Sequence, residues 1–173
     1  AIVAGPIEWP HPHRLPAGPL VNFGYEGDTL LLTTLQMPAN LAGSAVTLNA
    51  KAEWLECKDV CIPGSADLKL TLPVKGQAAP SAHAARFAEA RKLVPVTLPG
   101  LNARGTVDAN RIRVAFELPA GRTADKLEFF PLEEGRIEPA AAQVLDRGNG
   151  LALTLTAVKP VKADAKSLAG VIV

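Results

Sequence analysis

Two cysteines, Cys57 and Cys61, are the residues of this chain whose type and spacing point most directly to chemistry. They stand in the segment Trp54-Leu55-Glu56-Cys57-Lys58-Asp59-Val60-Cys61-Ile62-Pro63. In one straight strand their Cα atoms would lie about 13 Å apart. A disulfide needs a separation of about 4.4–6.8 Å, so the chain must reverse or coil between them. A hairpin with Lys58-Asp59-Val60 at its tip does this, and so does a single helical turn. A bond that closes a loop of about five residues stabilises by roughly 2 kcal/mol in the chain-entropy picture. Tight loops also tend to make such a bond easier to reduce. Small stabilisation and ready reduction suit thiol–disulfide exchange, in which one thiolate attacks a partner's disulfide and the second cysteine resolves the mixed disulfide. Lys58 favours a neighbouring thiolate, whereas Glu56 and Asp59 oppose it. Either sulfur can therefore be the nucleophile.

Two other chemistries use the same pair. One is a structural clip that staples a hairpin in a β-sandwich adhesion or assembly module. The other is a metal site, for which the further ligands available are His11, His13 and His83. A closed zinc site usually has four ligands, and His11-Pro12-His13 reads better as a surface turn. Two thiolates, with or without a histidine, would also suit copper(I) on grounds of softness. Exchange through Cys57 and Cys61 needs no flavin, nicotinamide or metal, and neither a cofactor nor a metal-ligating residue is assigned.

The elements that must position the pair are strands. Val46, Leu48, Ala50, Ala52 and Trp54 alternate with Thr47, Asn49, Lys51 and Glu53, the period of a half-buried strand. After the cysteines Leu68, Leu70, Leu72 and Val74 alternate with Lys69, Thr71 and Lys75. Thr29 to Gln36 is β-rich. Ala1 to Gly18, with Pro6, Pro10, Pro12 and Pro16, is expected to be extended and irregular. Ser81 stands where it can cap a short helix through Ala84, Phe87, Ala88 and Arg91, ended by Pro95 and Pro99. Further strands are expected at 111–118, 126–130 and 151–156, followed by the apolar run Leu168 to Val173. The expected fold is all-β with antiparallel sandwich architecture, since no βαβ rhythm appears. It divides into a redox-active β half at 1–78, a linker with the helix at 79–93, and a second sandwich-like half at 94–173.

Composition excludes other classes. The chain has 173 residues, enough for one large or two small domains. Fifteen prolines and fourteen glycines favour strands and turns over a helical bundle. The net charge of +1 and 5% aromatics carry no basic stripe, which argues against a nucleic-acid partner. No apolar run approaches the roughly 18 residues that span a bilayer, and no charged n-region with an apolar h-region opens the segment. Two cysteines are too few for a disulfide-rich secreted scaffold.

The cysteine segment resembles the N-terminal periplasmic domain of the DsbD family of transmembrane disulfide reductases, most closely the ScsB branch linked to suppression of copper sensitivity. Trp9-Pro10-His11-Pro12-His13-Arg14, Asn22-Phe23-Gly24-Tyr25-Glu26-Gly27, Phe129-Phe130-Pro131 and Leu168-Ala169-Gly170-Val171 agree with it, so the resemblance runs along most of the chain. It implies an immunoglobulin-like, periplasmic domain of an inner-membrane protein. Such a domain takes electrons from the transmembrane domain of the same reductase and reduces periplasmic thioredoxin-fold proteins. Cys57 and Cys61 match the redox pair. Phe23, then Tyr25, match the aromatic of a cap loop that shields it, with core packing the alternative reading of both. The partner-binding surface implied includes Trp54, Lys58, Asp59 and Pro63. The best-known DsbD members have a longer spacing between their cysteines than this chain. Members usually carry further strands before the point that matches Ala1, which would leave the first half to borrow strands from the second half or from another copy.

Overall fold

The computed structural model describes residues 2–41, 43–57, 60–74, 77, 79–161 and 167–173. In chain order the elements are β1 (Val3–Glu8), β2 (His13–Ala17), β3 (Leu20–Gly24), β4 (Leu32–Gln36), β5 (Ala45–Cys57), β6 (Cys61–Pro73), α1 (Ala84–Lys92), β7 (Asn102–Asp108), β8 (Arg111–Glu117), β9 (Phe129–Pro131), β10 (Val144–Asp146), β11 (Leu151–Thr156) and β12 (Gly170–Ile172). The fold is all-β and sandwich-like with one short helix. No described helix is long and apolar enough to cross a membrane.

The chain makes two units, Ala1–Trp9 with Leu30–Leu93, and Pro10–Thr29 with Val94–Val173. Both are discontinuous, unlike the contiguous halves drawn from the sequence. Residues 10–29 belong with the C-terminal strands because long-range contacts hold them there. The Arg14 guanidinium donates to the carbonyls of Pro139 (2.5 Å) and Ala141 (2.9 Å), and Phe23 packs edge-on against Phe130.

The first unit holds two antiparallel ribbons, β1–β4 and β5–β6, and the helix. The expectation of irregular chain at the N-terminus is corrected by β1 and β2, each of which contains a proline. Proline lacks an N–H and is tolerated at bulges and sheet edges. The β1–β4 register shifts between Ala4 and Ile7, across Gly5-Pro6, so Pro6 sits in the irregularity. Pro16 lies in β2, which pairs only with β3 among the described strands. At the helix, Ser81 Oγ accepts the N–H of His83, the N-cap residue, at 3.2 Å.

β5 and β6 form a hairpin of two 13-residue strands in unbroken register from Ala45↔Pro73 to Cys57↔Cys61. Because the register never slips, side-chain parity holds to the tip. One face carries Val46, Leu48, Trp54, Leu68, Leu70 and Leu72. The other carries Thr47, Lys51, Glu53, Lys69, Thr71 and both cysteines. The apolar face is the one expected to be half buried, yet Leu70 remains 54% exposed. Among the described residues of this unit, only Leu32 and Ala90 are buried.

The second unit has a packed core. A four-stranded antiparallel sheet, ordered β10-β11-β8-β7, faces the β12-β9 pair, while β2-β3 forms a further ribbon. Ile112 and Phe116 of β8, Leu153 and Leu155 of β11, Phe129 of β9, Ile137 and Ala157 make one cluster. Leu153 and Leu155 are fully buried. On the outer face, Asp146 accepts from Arg113 Nη2 at 3.0 Å and from the Gly148 N–H at 2.9 Å, tying β10 to β8 across β11. The Gly148 amide, and then Arg113, hold its carboxyl below the usual aspartate value. A carboxyl depressed by folding contributes stability above its unfolded pKa, near 4, and loses that contribution as pH falls through the lower folded value. Asp146→Asn is therefore expected to lower the denaturation midpoint at pH 7. The gap to the unsubstituted chain should close below about pH 4, as read by urea unfolding across a pH series.

Candidate functional site

The candidate site is the tip of the β5–β6 hairpin. Alternating strand residues bring both ends to the turn on the same parity, so Cys57 and Cys61 face each other as a directly opposed pair. Their sulfurs are joined in a disulfide, with Cα atoms 4.0 Å apart. The hairpin rather than the single helical turn thus brings them together. Lys58 and Asp59, expected at the tip and on a partner-binding surface, lie outside the described residues.

Both cysteines are exposed. Leu55 and Pro63, paired across the hairpin, lie two positions back on the same face. Leu55 is 68% exposed and Val60, at the turn, 70%. An exposed disulfide beside uncovered apolar side chains is accessible to another protein's thiols and has surface on which that protein could rest. Leu55 and Val60 were not picked out from the sequence. Leu55 was legible there, since it shares the parity of Cys57.

Trp54 lies on the opposite face of the hairpin from the disulfide. Its indole covers Gly64, the residue directly across the ribbon, and a Cβ at position 64 would be driven into the ring. A glycine here is required by close approach of an aromatic. Trp54 remains about half exposed, so it offers a second apolar surface rather than a wall of the disulfide's own face. Of the charged residues on the disulfide's face, Lys51 and Glu53 pair with each other at 2.6 Å and are well exposed. Such a pair contributes little to stability.

The aromatics matched to a cap loop belong to the second unit. Phe23 is half-buried, its ring centroid 5.3 Å from that of Phe130 in a T-shaped contact. The Tyr25 hydroxyl donates to the Pro10 carbonyl at 2.9 Å, and partial burial raises its pKa. These contacts are packing within that unit. In the same unit Phe129–Pro131 is β9 and pairs with Gly170–Ile172 of β12. His11 and His13 stack edge-on with centroids 5.5 Å apart in the second unit, while His83 begins the helix of the first. Among the described residues, no three His, Cys, Asp or Glu side chains gather to hold a metal ion.

No known protein family, curated protein or solved structure matches this chain. The functional reading therefore rests on the hairpin and its disulfide.

Proposed function

We propose that this chain is a periplasmic thiol–disulfide exchange domain of the DsbD type, in the ScsB branch. It would reduce disulfides of thioredoxin-fold partners through Cys57 and Cys61. The observation that carries the reading is the place of the disulfide. It joins two residues already opposed at the end of a ribbon with 13 consecutive register pairs, and it is open to solvent. A bond that closes so short a loop contributes only roughly 2 kcal/mol as a clip, whereas a redox pair must be reachable. The Leu55, Val60 and Pro63 surface supports the same reading, because exchange needs a partner's disulfide to dwell in line with the attacking sulfur.

The reaction balances without a cofactor. In the reduced form one thiolate of the pair attacks a sulfur of the partner's disulfide. An S–S bond forms between the two proteins and a partner thiolate leaves. The second cysteine then attacks the sulfur of its neighbour in the mixed disulfide, releasing the partner's other thiolate. The Cys57–Cys61 bond closes, and the partner has gained two electrons. The domain ends in the oxidised state seen here, and the transmembrane domain of the same reductase would return it to the dithiol. The immunoglobulin-like character of the scaffold belongs to this same proposal.

A glutathione redox titration, with thiol trapping and mass measurement of the Cys57–Cys61 pair, tests it. A midpoint above about −300 mV is expected for an exchanging pair. A pair that stays oxidised well below that value is a structural clip and ends the proposal.

A further inference from the structure

The second unit carries an open strand edge beside an apolar cleft, and neither is used by the cysteine chemistry. Glu128 and Val173 exchange both backbone hydrogen bonds at 2.9 Å, and the Leu132 N–H donates to Ala169 at 3.0 Å. The register between them pairs Val171 with Phe130 and Ile172 with Phe129. Antiparallel pairing alternates, so residues 169, 171 and 173 turn their backbone toward β9. Gly170 and Ile172 turn theirs away. The far side of β9 confirms the alternation. Phe129, opposite Ile172, donates its N–H to Gln143 Oε1 at 2.7 Å and accepts from Gln143 Nε2 at 2.8 Å. The Gln143 carboxamide thus gives β9 the donor and acceptor that a neighbouring strand would supply. Among the described residues nothing does so for Gly170 and Ile172.

That open edge borders a cleft of about 930 Å³, the size of a ligand site. Its floor includes Ala103, Gly105 and Val107 of β7, the last strand of the four-stranded sheet. A Cβ built on Gly105 would meet nothing within 4 Å. Lys159 and Arg136 also line it. The Arg136 guanidinium is held by Glu133 at 3.5 Å and by the Ser167 carbonyl at 3.1 Å, while Lys159 is exposed.

We propose that the outer edge of β12 is a docking slot for an extended segment of a partner polypeptide, with alternating apolar side chains and an acidic end. The segment adds beside β12 and extends the β12–β9 layer over β7. Its backbone bonds Gly170 and Ile172, and every second side chain falls onto Ala103, Gly105 and Val107. Its carboxylate meets Lys159. An apolar chain with an acidic head would satisfy the floor and the charge, but it would leave the strand edge without partners, and unpaired backbone groups are costly when covered.

The probe is the fluorescein-labelled peptide Asp-Val-Thr-Val-Thr-Val-Asp, titrated against the full chain by anisotropy. Saturable one-to-one binding is expected. N-methylation of one alternate set of its amides should weaken binding at least tenfold, while methylation of the other set is tolerated, because a strand bonds β12 along one side only. Gly105→Leu, which fills the floor, should cost at least tenfold, and Lys159→Glu severalfold with loss of salt dependence. Lys159 is exposed, so its variant keeps the test decisive if Gly105→Leu fails to fold. The chain with both cysteines replaced by serine should bind the peptide equally well, which separates this outcome from the redox proposal. No binding, equal loss from both methylated sets or from neither, dodecanoate held as tightly as the peptide, or a self-dimer through this edge that excludes the probe would each overturn it.

Discussion

Replacing either Cys57 or Cys61 by serine is expected to abolish reduction of a partner's disulfide while leaving the second unit's unfolding unchanged. The chemical half follows from the need for two sulfurs. With Cys61 alone or Cys57 alone, attack can form a mixed disulfide, but nothing resolves it, so the variant that retains the nucleophile should accumulate a covalent complex with its partner. The one that accumulates identifies the attacking cysteine. The stability half follows from the hairpin. Loop-closure entropy for about five residues sets the bond's contribution at roughly 2 kcal/mol, and strand pairing holds β5 to β6 at every position from Ala45↔Pro73 to the tip. The second unit contains no cysteine. The measurement is thiol trapping and mass spectrometry of each reduced variant mixed with an oxidised thioredoxin-fold protein, beside segment-resolved hydrogen exchange. A loss of stability well beyond that estimate, with no exchange in the unsubstituted chain, would return the pair to the role of a clip.

How much of this could be read beforehand depends on how each strand announces itself. β5, β6, β8 and β11 alternate large apolar with polar residues, so their existence and the hairpin at the cysteines were legible. β7 was not, because its inward residues are Ala103, Gly105 and Val107, too small for a period of two to stand out. β1 and β2 were hidden by Pro6 and Pro16, whose missing donors are harmless only because of where the pairing places them. The exchange of segments between the units had no local signature at all. It depends on Arg14 reaching carbonyls more than a hundred positions away and on Phe23 meeting Phe130. At the site, the reversal between the cysteines was demanded by covalent geometry. The side on which Leu55 lies follows from its parity with Cys57, but its exposure and that of Val60 do not, since exposure is decided by what fails to cover them.

The apolar alternation of β6 and that of β11 look equivalent in sequence, and truncation should show that they are not. Leu155→Ala is expected to cost about 3–4 kcal/mol, the range for a fully buried leucine whose cavity cannot collapse. Leu155 has no exposed surface, and it sits in the cluster formed by β8, β9 and β11. Leu70→Ala, on a side chain 54% exposed, should cost less than about 1 kcal/mol, as surface changes do. Chemical denaturation with hydrogen exchange read segment by segment separates the two units, since β11 and β6 fall on different sides of the division. The small cost at Leu70 has a further consequence. A ribbon whose leucines contribute so little to folding keeps its apolar face available for association, and a two-stranded hairpin by itself is marginal in water. The β5–β6 ribbon should therefore exchange its amides faster than β8 and β11, and the disulfide at its tip should ride on the more mobile of the two units. Protection of β6 equal to that of β11, or a Leu70→Ala cost matching that of Leu155→Ala, would mean that the leucine face is covered in solution.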